Sequence, residues 1–166
     1  LFFPATYPPE RLANGVFVSG WDAPVAFEAD ASFVWPPAMH QSLVKRFGAQ
    51  RFDDVDEFDA DRPGWHTELP DALAARVSRK SALATWLLSG ERWDAFAIYF
   101  GESDTAAHYL YGLHDPRSPR HPSDHPAAQR RPSGLAHVYM ALDRALGELL
   151  VAAGGDAGVH QVELTI

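Results

Sequence analysis

Trp93-Asp-Ala-Phe-Ala-Ile-Tyr-Phe-Gly-Glu-Ser-Asp-Thr-Ala-Ala-His108 is the stretch on which the reading of this chain turns. Phe96 to Phe100 is apolar, with a helix-stop signal before it and a Gly101-Glu102-Ser103-Asp104 turn after it. That pattern predicts a short buried strand of a parallel sheet, about five residues long. In an open α/β sheet, ligands gather at the carboxyl ends of the strands. Glu102, Ser103 and Asp104 lie at that end, and His108 follows four residues after Asp104. With a helix from Thr105 onward, Asp104 sits at its N-terminus and His108 one turn in, on the same face. An oxygen and a nitrogen donor converging on one point suit zinc or a similar divalent metal. The same spacing also describes an N-capping Asp followed by an ordinary helical His. Isolated pairs of this kind are common, so the spacing alone favours the capping reading.

Upstream, Pro70 to Ser89 predicts a long helix that leads into the strand. Thr67 is its candidate N-cap, with Glu68 and Pro70 in the first turn. Leu73, Val77, Leu83, Ala84, Leu87 and Leu88 give an apolar stripe at helical period, and Arg76, Arg79 and Lys80 are assigned to the other face. Gly90 stops the helix. Downstream, Tyr109, Tyr111 and Leu113 continue the turn briefly. Pro116, Pro119, Pro122, Pro126 and Pro132 then break the chain into a long loop. Loops of that length in a compact domain are usually functional or mobile, which suggests a rim or lid beside the strand end. Its histidines, His114, His121 and His125, read as surface residues, because the prolines deny His121 and His125 regular helical spacing. Gly134 to Ala153 is the clearest element. Leu135, Val138, Tyr139, Leu142, Leu146, Leu149 and Leu150 recur at three and four, Ser133 is a good N-cap, and Gly154-Gly155 a good stop. Its apolar face is expected to pack on the sheet, with a further strand in Val159 to Ile166.

The region before Trp65 is poorer in signals. Pro4, Pro8, Pro9, Pro24, Pro36 and Pro37 exclude a long helix from Leu1 to Pro37. Gly15 to Gly20 encloses a short apolar run, a strand or a buried loop. Tyr7-Pro8-Pro9-Glu10 and Trp35-Pro36-Pro37 look like helix starts, the second opening a helix over Met39–Phe47 that Gly48 caps. Arg51 to Asp61 is acidic. It fails the test for a calcium loop, because no register places Gly sixth and Glu twelfth, so it reads as a solvated connector.

The 166 residues match the size of one domain, divided here into a Pro-rich, cap-like region (1–68) and an α/β core segment (69–166). A hydrophobic content of 46% is ample for a core. The net charge of −8 argues against general affinity for nucleic acid or anionic membranes. With no cysteine, there is no disulfide or thiolate site, and any metal must be held by His, Asp and Glu. No apolar run approaches the roughly 18 residues of a membrane span, and no secretory signal is visible. The expectation is a soluble protein, cytoplasmic or exported.

The order of these elements resembles the type I phosphodiesterase/nucleotide pyrophosphatase family, in the alkaline phosphatase superfamily. The resemblance is carried by Trp93-Asp94-Ala95-Phe96 and by Phe100-Gly101-Glu102-Ser103-Asp104-Thr105-Ala106-Ala107-His108. It extends to His121-Pro122 and to Tyr139-x-x-Leu142-Asp143-x-x-Leu146-Gly147-x-Leu149-Leu150. Tyr7-Pro8-Pro9-Glu10 and Asn14 to Pro24 look like bacterial members. The resemblance implies a partial alkaline-phosphatase-like α/β sandwich with short, mainly parallel strands. It also implies a hydrolase of phosphodiester or nucleotide pyrophosphate bonds that works through a phospho-enzyme on two divalent ions, usually zinc. The substrate would be a small phosphate ester or a nucleotide. Asp104 and His108 would bind one ion, with Glu102 and Ser103 orienting them. Sulfatases, phosphonate hydrolases and phosphomutases share this metal logic, and a non-catalytic module on the same fold is a further alternative. The nucleophile and an aspartate ligand normally precede this region. An Asp-His-Gly ligand motif normally follows it, where Val159-His160-Gln161-Val162 is found. The chain therefore looks like an internal portion of such an enzyme, inactive alone.

Overall fold

The computed structural model describes residues 7–20, 28–51, 55 and 57–155. The strand expected in Val159 to Ile166, much of the acidic run and Trp21 to Pro24 lie outside them. The chain begins with two minimal antiparallel pairs. β1 (Phe17–Val18) pairs with β3 (Val34–Trp35), and β2 (Glu28–Ala29) pairs with β4 (Gln50–Arg51). Between β3 and β4 lies α1 (Ala38–Phe47), which ends at Gly48 with φ 81°, a left-handed position that glycine takes without Cβ strain. Of the strand or buried loop expected between Gly15 and Gly20, a two-residue strand is found, and the helix capped by Gly48 is present. Tyr7-Pro8-Pro9-Glu10 forms bends and coil and no helix.

The long central helix, α2, spans Trp65–Gly90. It starts five residues before the predicted Pro70, because Gly64, at φ 87°, turns the chain into it and serves as its N-cap. Thr67 and Pro70 are therefore interior. The early start adds Trp65 and Leu69 to the buried face. After α2 come α3 (Glu102–His114), the single turn α4 (Pro126–Gln129) and α5 (Gly134–Ala152). Ser133 caps α5 as expected, its side chain accepting from the Ala136 N–H at 3.3 Å.

Two cores share α2. Val16, Val18, Val34 and Leu43 meet its C-terminal half at Leu83 and Leu87. Trp65, Leu69 and Leu73 of its N-terminal half meet Ala106 and Leu110 of α3 and Val138 of α5. The boundary drawn at residue 68 falls near the start of this shared helix.

These packings overturn the α/β, alkaline-phosphatase-like sandwich predicted for the chain. The fold is mostly helical, and the described strands are antiparallel segments of two residues each. Phe96 to Phe100 follows α2 without joining any sheet. A parallel strand exists only through the hydrogen-bonding edges of its neighbours, and no described segment supplies one. The run is anchored by side chains instead: Trp93, Phe96 and Ile98 pack against the first core. The apolar face of α5 correspondingly packs on α2 and α3 rather than on a sheet.

Gly134, the first residue of α5, is buried. A Cβ there would lie 2.6 Å from Pro70 Cγ and 3.4 Å from Leu110 Cδ1. Overpacking of this kind costs about 1–3 kcal/mol, and at the first residue of a helix little propensity is gained in return. Gly134→Ala is expected to lower the thermal midpoint; an equal or higher midpoint would refute the contact.

Candidate functional site

α3 begins directly after Gly101, which makes no side-chain cap bond to the helix. Its first turn carries Glu102, Ser103 and Asp104, and His108 follows one turn later. Asp104 and His108 share a face as the spacing predicts. His108 Nε2 lies 3.5 Å from Asp104 Oδ1, and both side chains are more than 70% exposed, at 73% and 71%. Two donors about 2.1 Å from a tetrahedral zinc are separated by roughly 3.3–3.5 Å. The pair therefore has the span of one edge of a zinc coordination sphere and is open to solvent.

Glu102 and Ser103 do something different from each other. Ser103 Oγ donates to the Phe100 carbonyl at 3.4 Å, across the turn. The Glu102 carboxylate turns inward, where its Oε1 lies 2.6 Å from Lys80 Nζ of α2, and both side chains are fully buried. Lys80 Nζ also lies 5.9 Å from the centre of the Phe100 ring. The placement of Lys80 and Arg76 on a solvent face is thereby corrected: both are buried. An Arg76 Nη2 hydrogen bond reaches the Val55 carbonyl at 3.4 Å. The signal that could have found them is spacing. Leu69, Leu73, Arg76, Lys80, Leu83 and Leu87 step by four and three, so both cations occupy positions of the core stripe.

A further residue, Glu57, escaped the sequence reading. Glu57, in a 3-10 turn of the acidic stretch, accepts from Thr105 Oγ1 at 3.1 Å and from Tyr109 OH at 3.3 Å. Thr105 and Tyr109 each follow a residue of the Asp104/His108 pair, so Glu57 grips the neighbouring face of α3. Burial, with the adjacent Glu57 charge, pushes the Tyr109 phenol up. Trp65 completes that side, edge-on to Tyr109 at 4.9 Å.

Several side chains of the Pro-rich loop bond the elements beside it. His121 Nδ1 donates to the Gly112 carbonyl of α3 at 2.9 Å. His125 caps α4, its Nδ1 accepting from the Ala127 N–H at 3.1 Å. Arg130 binds both carboxylate oxygens of Asp71 on α2, at 3.1 and 2.6 Å, and this holds Asp71 below the usual carboxylate range. His137 of α5 lies 3.2 Å from the same carboxylate. Burial, and secondarily the nearby His125, pushes the His66 imidazole down.

Among the described residues no three His, Asp or Glu side chains converge as a metal would need, and no helix is long and apolar enough to cross a membrane. No protein-family model, no curated protein and no solved structure matches the chain.

Proposed function

We propose that this chain contributes one metal-binding turn of a hydrolase that cleaves phosphodiester or nucleotide pyrophosphate bonds. The observation that carries the reading is the exposed Asp104/His108 pair, with its 3.5 Å donor separation at the N-terminal end of α3. In this reading Asp104 supplies an anionic oxygen and His108 a neutral nitrogen to one of two divalent ions, zinc being the best fit to that donor set. Such ions stabilise the attacking and leaving oxygens of a phosphoryl transfer and activate water. Catalytic zinc takes three protein ligands. The remaining ligands and the nucleophile are therefore assigned outside the described residues. The substrate class is a small phosphate ester or nucleotide.

The test is hydrolysis of bis(p-nitrophenyl) phosphate by the protein in its full natural length, with zinc supplied. Asp104→Asn is expected to lower kcat by at least about 100-fold, the upper end of what losing a ligand-orienting partner costs. Undiminished turnover in that variant would remove Asp104 from the site.

A further inference from the structure

We infer that the outer face of α5 is where two copies of this chain pair, antiparallel, about a two-fold axis between Asp143 and Arg144; the inference is independent of the metal-site reading. Met140, Arg144, Gly147 and Val151 step by four and three along α5, so they form one stripe of the helix. All four are exposed, opposite the buried Val138, Ala145 and Leu149. Met140 is 56% and Val151 77% exposed, large apolar side chains that the described fold leaves in water. Gly147 has no reason within the chain itself. A Cβ there would meet nothing within 4 Å, and glycine weakens a helix interior relative to alanine. A neighbour that approaches closely supplies the reason. Beside the stripe, a shallow depression is lined by Ala136, Tyr139, Met140, Asp143 and Arg144. The face is complementary to itself. Turned about the two-fold axis, Met140 of one copy lies over Gly147 of the other, Val151 projects into the depression at Ala136, and Asp143 meets Arg144. Each contact occurs twice, as an isologous interface requires. No described residue pairs with Asp143 or Arg144, and the second copy supplies each with its opposite charge. A second copy thus accounts at once for the glycine, the depression and the two charges. Ala136 to Val151 spans about 22 Å of helix. An interface of that size is small, so the association is weak and reversible.

The test is analytical ultracentrifugation of the protein in its full natural length over a concentration series. The expected result is a monomer–dimer equilibrium. Arg144→Asp places acid against acid at both contacts and should weaken the dimer about 10-fold or more, with the thermal midpoint of the monomer unchanged. Adding Asp143→Arg to it reverses the pairing and should restore most of the affinity. Gly147→Gln should also weaken the dimer, by obstructing Met140, although it favours the helix and raises the midpoint of the monomer. A residue serving only the fold would not move association and stability in opposite directions. A protein that stays monomeric up to about 1 mM overturns the inference. Slow oxidation of Met140 by peroxide in that monomer would assign the face to another segment of the same chain. A dimer indifferent to both Arg144→Asp and Gly147→Gln places the contact elsewhere and overturns the inference equally.

Discussion

Lys80→Met alone is expected to destabilise the fold by about 3–5 kcal/mol, because it leaves the Glu102 carboxylate buried without its cation. The side chains are of similar length, so little packing is lost. The cost comes from a buried carboxylate that has lost its cation at 2.6 Å. Replacing both residues by Met removes that charge as well, and most of the stability should return. The difference between single and double variants isolates the electrostatic part. Denaturant unfolding of the three proteins measures it. A single variant within about 1 kcal/mol of the parent would show that water or another group takes over from Lys80.

The second large effect is expected at Trp65. This side chain is 4% exposed and lies in the core that joins α2 to α3 and α5. Truncating a buried Trp to Ala costs about 3–5 kcal/mol, through lost burial and the cavity left behind. The edge-on contact with Tyr109 at 4.9 Å adds to the loss, since such pairs contribute about 0.5–1.5 kcal/mol beyond their buried area. Tyr109 is also held by Glu57, so the variant should loosen the same face of α3 that Glu57 grips. Phe58 provides the control. It is 81% exposed, and Phe58→Ala should stay within about 0.5 kcal/mol of the parent. Equal effects at the two positions in urea unfolding would contradict the placement of this core.

The elements that announced themselves are those whose cues are local. Ser133 caps α5 through a bond three residues away, and Gly48 ends α1 with its own φ angle, so both ends could be read from neighbouring residues. The Asp104/His108 proximity was legible for the same reason, since helix geometry alone brings residues four apart together. Phe96 to Phe100 failed because an apolar run of five reports burial but not what buries it. Its side chains enter the first core, and among the described residues its backbone has no strand beside it. Lys80 failed differently. Whether a lysine can be buried depends on an acid elsewhere in the chain, and Glu102 is 22 positions away. Glu57 was hidden by its company: in an acidic run nothing local distinguishes the one carboxylate that binds Thr105 and Tyr109. The α2 start was misplaced because Pro70 resembles a first-turn proline, whereas Gly64 makes the actual entry.

The two loop imidazoles are wired oppositely to the backbone. His121 carries its proton on Nδ1 to reach Gly112, whereas His125 must leave Nδ1 bare to receive Ala127. As neutral rings they are therefore opposite tautomers, distinguishable by the nitrogen shifts of their side chains.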